Sequence, residues 1–154
     1  MFYVKAVLIG LCLTGFLGVH AGDSTPAEAV PAWLVDARKA VEAKNFDKAI
    51  SVLQASNQTA SADWNNLMGF AHRKKEPADL DVAELYYKQA LKINAEHKGA
   101  LEYYGELLLL RSDLPGAEQL LARLDKACFF GCEEHRDLKK SIRAYKSKNQ
   151  PAAK

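Results

Sequence analysis

Cysteine is scarce in this chain, and that excludes one way of holding a small protein together. Of 154 residues three are cysteine, and Cys12 lies in an N-terminal apolar stretch, so Cys128 and Cys132 are the one pair in the remainder. A single pair cannot replace a hydrophobic core, which the chain is long enough to build. Excess charge is also missing: 21 basic side chains stand against 19 acidic ones, which gives nothing overall for a nucleic-acid backbone to attract. No stretch alternates apolar and polar residues for long, which argues against sheet. Beyond the N-terminal stretch there is no further long apolar run, and a membrane helix needs about 20 apolar residues. Nucleophile elbow, phosphate loop and paired zinc motif are all absent, and the four histidines are scattered.

What is present begins with residues 1–21, which read as a secretory signal peptide. Lys5 supplies the positive start, Ala6 to Leu17 a short apolar core, and Val19-His20-Ala21 a small-residue cleavage site. Cys12 sits inside the apolar core without the small preceding residue of a lipoprotein signal, so it is expected to leave with the peptide. The protein is therefore expected to be exported, periplasmic or secreted, and soluble, with no stable membrane span after cleavage. Residues 22–31, with Pro26 and Pro31, read as a flexible lead-in.

The rest is organised around a repeat. Asn66-Leu67-Met68-Gly69-Phe70-Ala71-His72-Arg73-Lys74 is followed by Ala83-Glu84-Leu85-Tyr86-Tyr87-Lys88-Gln89-Ala90-Leu91, and the order returns in Tyr104-Gly105-Glu106-Leu107-Leu108 and Ala117-Glu118-Gln119-Leu120-Leu121. Ala49, Ala83 and Ala117 are spaced by about 34 residues, the period of a known helix-turn-helix repeat. With small residues where two helices must touch, the chain resembles the tetratricopeptide repeat (TPR) family over roughly residues 32–125. The resemblance implies an all-α, right-handed TPR-type helical solenoid of about three helix-turn-helix pairs.

In the first pair, Trp33 and Ala37 precede Phe46, Ala49 and Leu53, with Asn45 as a turn and Asp47 as the expected cap. In the second, Ser61 is the expected cap, Gly69 the close-contact residue, Glu76-Pro77-Ala78-Asp79 the turn, and Asp81 with Glu84 resembles a capping box. The third has Leu101, Gly105, Leu108, Asp113, Pro115, Ala117 and Leu124. Leu138, Ile142 and Tyr145 form one stripe of an amphipathic helix that would cover the open end. The expected divisions are repeats over 32–127, a cysteine-containing turn and capping helix over 128–147, and a disordered tail over 148–154.

The resemblance also implies a binding face lined by the first helix of each pair: Leu34, Arg38 and Val41, then Asn66, Phe70 and Arg73, then Glu102, Glu106 and Leu109. It implies a protein or peptide partner, with no enzymatic activity, no cofactor and no nucleic acid. The mixture departs from the family's clamp for a terminal carboxylate, which Glu102 and Glu106 would repel. His72 is expected to pack between helices and His97 to be a solvated turn residue.

Cys128-Phe129-Phe130-Gly131-Cys132-Glu133-Glu134-His135 is the one constellation with chemistry in it. A Cys-Phe-Phe-Gly-Cys-Glu-Glu segment after the last repeat resembles a group of small exported bacterial TPR proteins. Three residues between the cysteines, one of them glycine, allow a structural disulfide. Two alternatives stand beside it: a copper or zinc site using Cys128, Cys132 and His135, and a redox-active dithiol, which Glu133 and Glu134 would disfavour. The functional expectation is accordingly an exported adaptor or scaffold that binds through its groove, with a metal or redox accessory protein, or a structural subunit of an envelope complex, as alternatives.

Overall fold

The computed structural model describes residues 29–149. The signal peptide, most of the lead-in and residues 150–154 lie outside the described residues. Among those described there are seven helices and no strand: α1 (Ala32–Glu42), α2 (Phe46–Ser56), α3 (Ala62–Lys74), α4 (Leu80–Ile93), α5 (Lys98–Leu110), α6 (Leu114–Ala127) and α7 (Glu133–Asn149).

Short polar side chains start most of these helices by capping free backbone N–H groups. Asn45, Ser61, Asp79 and Asp113 accept from the amides of Lys48, Trp64, Val82 and Gly116, respectively. Two expectations change here. Asn45, not Asp47, caps α2, and Asp79, not Asp81, caps α4. In both cases the capping residue stands two positions earlier, and the expected one lies in the first turn. Asp81 instead reaches across to Arg111 on the next pair. His97 is not a bystander in a turn: it caps α5, its Nδ1 accepting from the Ala100 amide at 3.0 Å. Its Nε2 must then carry the proton, and lies 3.1 Å from Asp63 Oδ1 at the start of α3.

The helices pack as antiparallel pairs, α1 with α2, α3 with α4 and α5 with α6, and each odd-numbered helix also touches the next odd one. The result is an all-α helical solenoid. Its core runs through the pairs as Ala37, Leu53, Trp64 and Met68, then Ala83, Tyr87 and Leu107, then Leu101, Leu108, Leu120, Leu124, Leu138 and Ile142. Trp64 donates its indole N–H to the Leu53 carbonyl at 2.7 Å, tying the end of the first pair to the second. His72 packs as expected, its ring stacked on Tyr86 at 5.6 Å.

The repeat glycines mark helix contacts, but not equivalent ones. A Cβ on Gly69 would lie 2.7 Å from the Tyr87 ring of its own pair, whereas one on Gly105 would lie 2.7 Å from both Leu138 methyl carbons. Gly105, the glycine of the third pair, therefore receives α7. Helix α7 lies on α5 and α6 as α5 lies on α3 and α4, so it stands in the place of the first helix of a further pair. It also extends to Asn149, two residues past the expected end of the cap. A disulfide joins Cys128 to Cys132, with Cα atoms 5.6 Å apart, across a turn in which the Gly131 amide donates to the Cys128 carbonyl. Gly131 adopts a φ of 81°, which its missing side chain permits.

Candidate functional site

Side chains from α1, α3, α5 and α7 line a row of three clefts. One, of about 410 Å³, lies between α1 and α3 and includes Val41, Phe46 and Phe70. A second, of about 320 Å³, includes Arg38, Val41, Glu42, Asp63, Asn66, His97, Tyr103 and Glu134. The third, of about 590 Å³, lies between Arg73, Glu106 and Leu109 on one side and Ser141 and Tyr145 of α7 on the other.

Of the nine residues expected on this face, Arg38, Val41, Asn66, Phe70, Arg73, Glu106 and Leu109 line its clefts. Leu34 does not: it is buried, as a large apolar side chain on a helix packed against α2 must be. Leu109 contributes only the floor, since it belongs to the core around Leu101 and Leu138. Glu102 is sunk below the surface, 7 % exposed. Tyr103 and the α7 residues Glu134, Ser141 and Tyr145 complete the lining and were not anticipated. Once Leu138 and Ile142 are read as the buried stripe of α7, spacing places Glu134 and Ser141 on its flank.

Arg73 is the centre of the face. It is 7 % exposed, with Nη2 2.9 Å from Glu106 Oε2. Its guanidinium carbon lies 5.5 Å from the Phe70 ring centre and 5.6 Å from that of Tyr103, so the charge rests against both rings from one side. Those rings are 4.7 Å apart, and Phe46 continues the aromatic row at 6.2 Å from Phe70. Glu106 is fixed from the other side by Ser141, whose hydroxyl donates to it at 3.2 Å. Beyond the ion pair with Glu106, Nε and Nη2 of Arg73 have no hydrogen-bond acceptor. Asn66 Oδ1 is likewise buried without a donor.

Carboxylates crowd this centre. Burial, then the charges of Glu106, Asp137 and Glu134, push the Glu102 carboxyl up to about 8, against the pull of Arg73. Burial and Glu102 push the Tyr103 hydroxyl up to about 12. An unfolded Glu102 ionises near 4.5, so between that value and about 8 the folded state holds the extra proton. This contribution to stability is complete below pH 4.5 and is lost as pH rises through 8, at up to about 1.4 kcal/mol per pH unit where the difference is whole. Urea denaturation across this range should show the decline, and Glu102→Gln should flatten it. Equal slopes in the two proteins would remove Glu102 as its source.

The cysteine pair is separate from the clefts. His135 turns away from it, with Nε2 3.5 Å from Asp125 Oδ1. Among the described residues no three His, Cys, Asp or Glu side chains are grouped so as to hold a metal ion. No described helix is long and apolar enough to cross a membrane.

No protein-family model matches the chain, and no curated protein sequence matches it. A solved structure does. The chain is similar to the type III secretion chaperone SycD of Yersinia enterocolitica, determined in complex with a peptide of the translocator YopD. The TM-score is 0.61 at 16 % sequence identity, over 77 % of this chain and 92 % of that one. At that identity the likeness speaks for the fold, a TPR-type helical repeat.

Proposed function

We propose that this protein is an exported, non-enzymatic adaptor that holds an extended segment of a partner protein along the face made by its odd-numbered helices. The observation that carries this reading is a pair of unsatisfied polar groups on that face. Asn66 Oδ1 lacks a donor, and Arg73 Nε and Nη2 lack an acceptor beyond the ion pair with Glu106, although each residue is 7 % exposed and lines a cleft. Buried polar groups are normally paired, so unpaired ones call for an explanation. Seven residues of helix span about 10.5 Å, close to three residues of extended chain. One peptide could therefore donate an amide to Asn66 and present a carbonyl to Arg73, with a side chain against Phe70 or Tyr103 between them. The fold shared with a chaperone solved around a translocator peptide supports a protein-binding role.

The charge of the middle cleft supports a basic segment there, whereas Lys44 and Lys74 border the first cleft and Lys148 the third. Glu42, Asp63 and Glu134 border the middle cleft with Arg38 as the only Lys or Arg among its lining residues, and Arg73, the one buried cation among the described residues, is paired with Glu106. Fluorescence anisotropy with labelled ten-residue peptides should show tighter binding for a Lys/Arg-bearing sequence than for an Asp/Glu-bearing one of equal apolar content. Glu42→Lys with Glu134→Lys should weaken the basic peptide by about ten-fold or more while leaving the circular dichroism spectrum unchanged. Equal affinity for both peptides, or no response to the double reversal, would refute the groove as the binding surface for basic segments.

A further inference from the structure

We infer that the disulfide-closed turn at the end of the solenoid is a wedge for an anionic lipid surface, steered by the outer side of α7. Phe129 and Phe130 are 87 % and 97 % exposed, next to one another at the tip of the turn. Their ring centres are 5.1 Å apart at a near-right angle, so the two rings rest on each other while the rest of each faces solvent. The turn behind them is fixed three times over: by the Cys128–Cys132 bond, by the Gly131-to-Cys128 hydrogen bond and by Cys128, which is buried in the core. Rings held out on a rigid turn lose little freedom on insertion, which is how preorganisation strengthens binding.

Charge decides what they enter. Along α7, at 100° per residue, Leu138 and Ile142 face the solenoid. Arg136, Lys140 and Arg143 fall on the far side and Lys139 on the flank, all exposed and with no ion pair among the described residues. Lys146, on the flank, is bound to Glu118. Glu134 is turned inward to the middle cleft, leaving Glu133 and the exposed Asp137, beside Lys140, as the two acids against these four cations. This stripe begins one turn after the wedge and extends about 10 Å along the helix. Clustered cations beside exposed aromatics are the pattern of peripheral attachment to anionic headgroups. A fluid apolar phase can surround both rings, whereas a protein partner would need a preformed pocket for nearly their whole surface.

The test uses the full chain with Phe130→Trp and vesicles of phosphatidylglycerol and phosphatidylcholine whose acyl chains are brominated. Quenching reports depth at position 130 itself, which the N-terminal apolar stretch cannot imitate, after subtraction of the parent's signal from Trp33 and Trp64. Strong quenching on the anionic vesicles, little on pure phosphatidylcholine, and loss of the difference at high salt are expected. Phe129→Ser with Phe130→Ser should lower partitioning onto anionic vesicles by about ten-fold or more. Lys139→Glu, Lys140→Glu and Arg143→Glu together should remove the preference for anionic lipid. An indole at 130 that stays unquenched, or a charge reversal without effect, overturns the inference.

Discussion

Replacing Arg73 by alanine should destabilise the fold by about 3–5 kcal/mol, the cost of leaving a buried charge without its partner. Glu106 would then face Glu102 with no cation between them, and the Phe70 and Tyr103 rings would lose the cation packed against them. Exposed ion pairs such as Lys146 with Glu118 contribute at most about 1 kcal/mol, so the two classes separate clearly. The remedy distinguishes charge from packing. Arg73→Met with Glu106→Gln keeps the volume and removes both charges, and should recover most of the loss. Urea denaturation followed at 222 nm measures all three. A loss below about 1 kcal/mol in Arg73→Ala would mean that water reaches the guanidinium and that the face is not organised around it.

Gly69→Leu should be the second severe change, near the upper end of the range of about 1–3 kcal/mol for overpacking. The first added carbon already lies 2.7 and 2.8 Å from ring atoms of Tyr87 and 3.1 Å from the Ala83 carbonyl oxygen, and Tyr87 is fully buried. There is no room for the ring to turn. Gly105→Leu meets the methyl ends of Leu138, and it can relieve the clash by lifting α7 from α5. It should therefore lower stability less and loosen the C-terminal end selectively. Thermal melts of both variants give the comparison, and equal losses would contradict the unequal roles of the two glycines.

The sequence displayed the fold more openly than the site because repeat spacing reports on contacts between helices. Alanines 34 residues apart and Gly69 sit where no larger side chain fits, so the pairs were legible. The facing of individual side chains was less so. Leu34 and Leu109 share their helical register with groove residues, but an apolar side chain at the border of a face goes into the core when a neighbouring helix covers it. His97 shows another limit: its role depends on Asp63, 34 residues away, and no local signal indicates that bond. Asp79 and Asp81 are both plausible caps, and the choice between them is made by Arg111, on a different pair, which takes Asp81. Glu134 and Ser141 were hidden for a simpler reason, since a helix assigned only to closing the array is not examined for a second face.

The position of α7 has a consequence for how the protein yields and reforms. An array of stacked helices opens most readily at its ends, because a terminal element has neighbours on one side only. Among the described helices α7 rests on α5 and α6 alone, yet with Ser141 and Tyr145 it supplies one wall of the largest of the three clefts. Its amides should therefore exchange with solvent through partial opening, at lower free energy than those of α3 or α5. A segment bound between α7 and α5 would touch both sides of that opening and oppose it. Occupancy would then be visible far from the ligand, as slowed hydrogen exchange along the last helix.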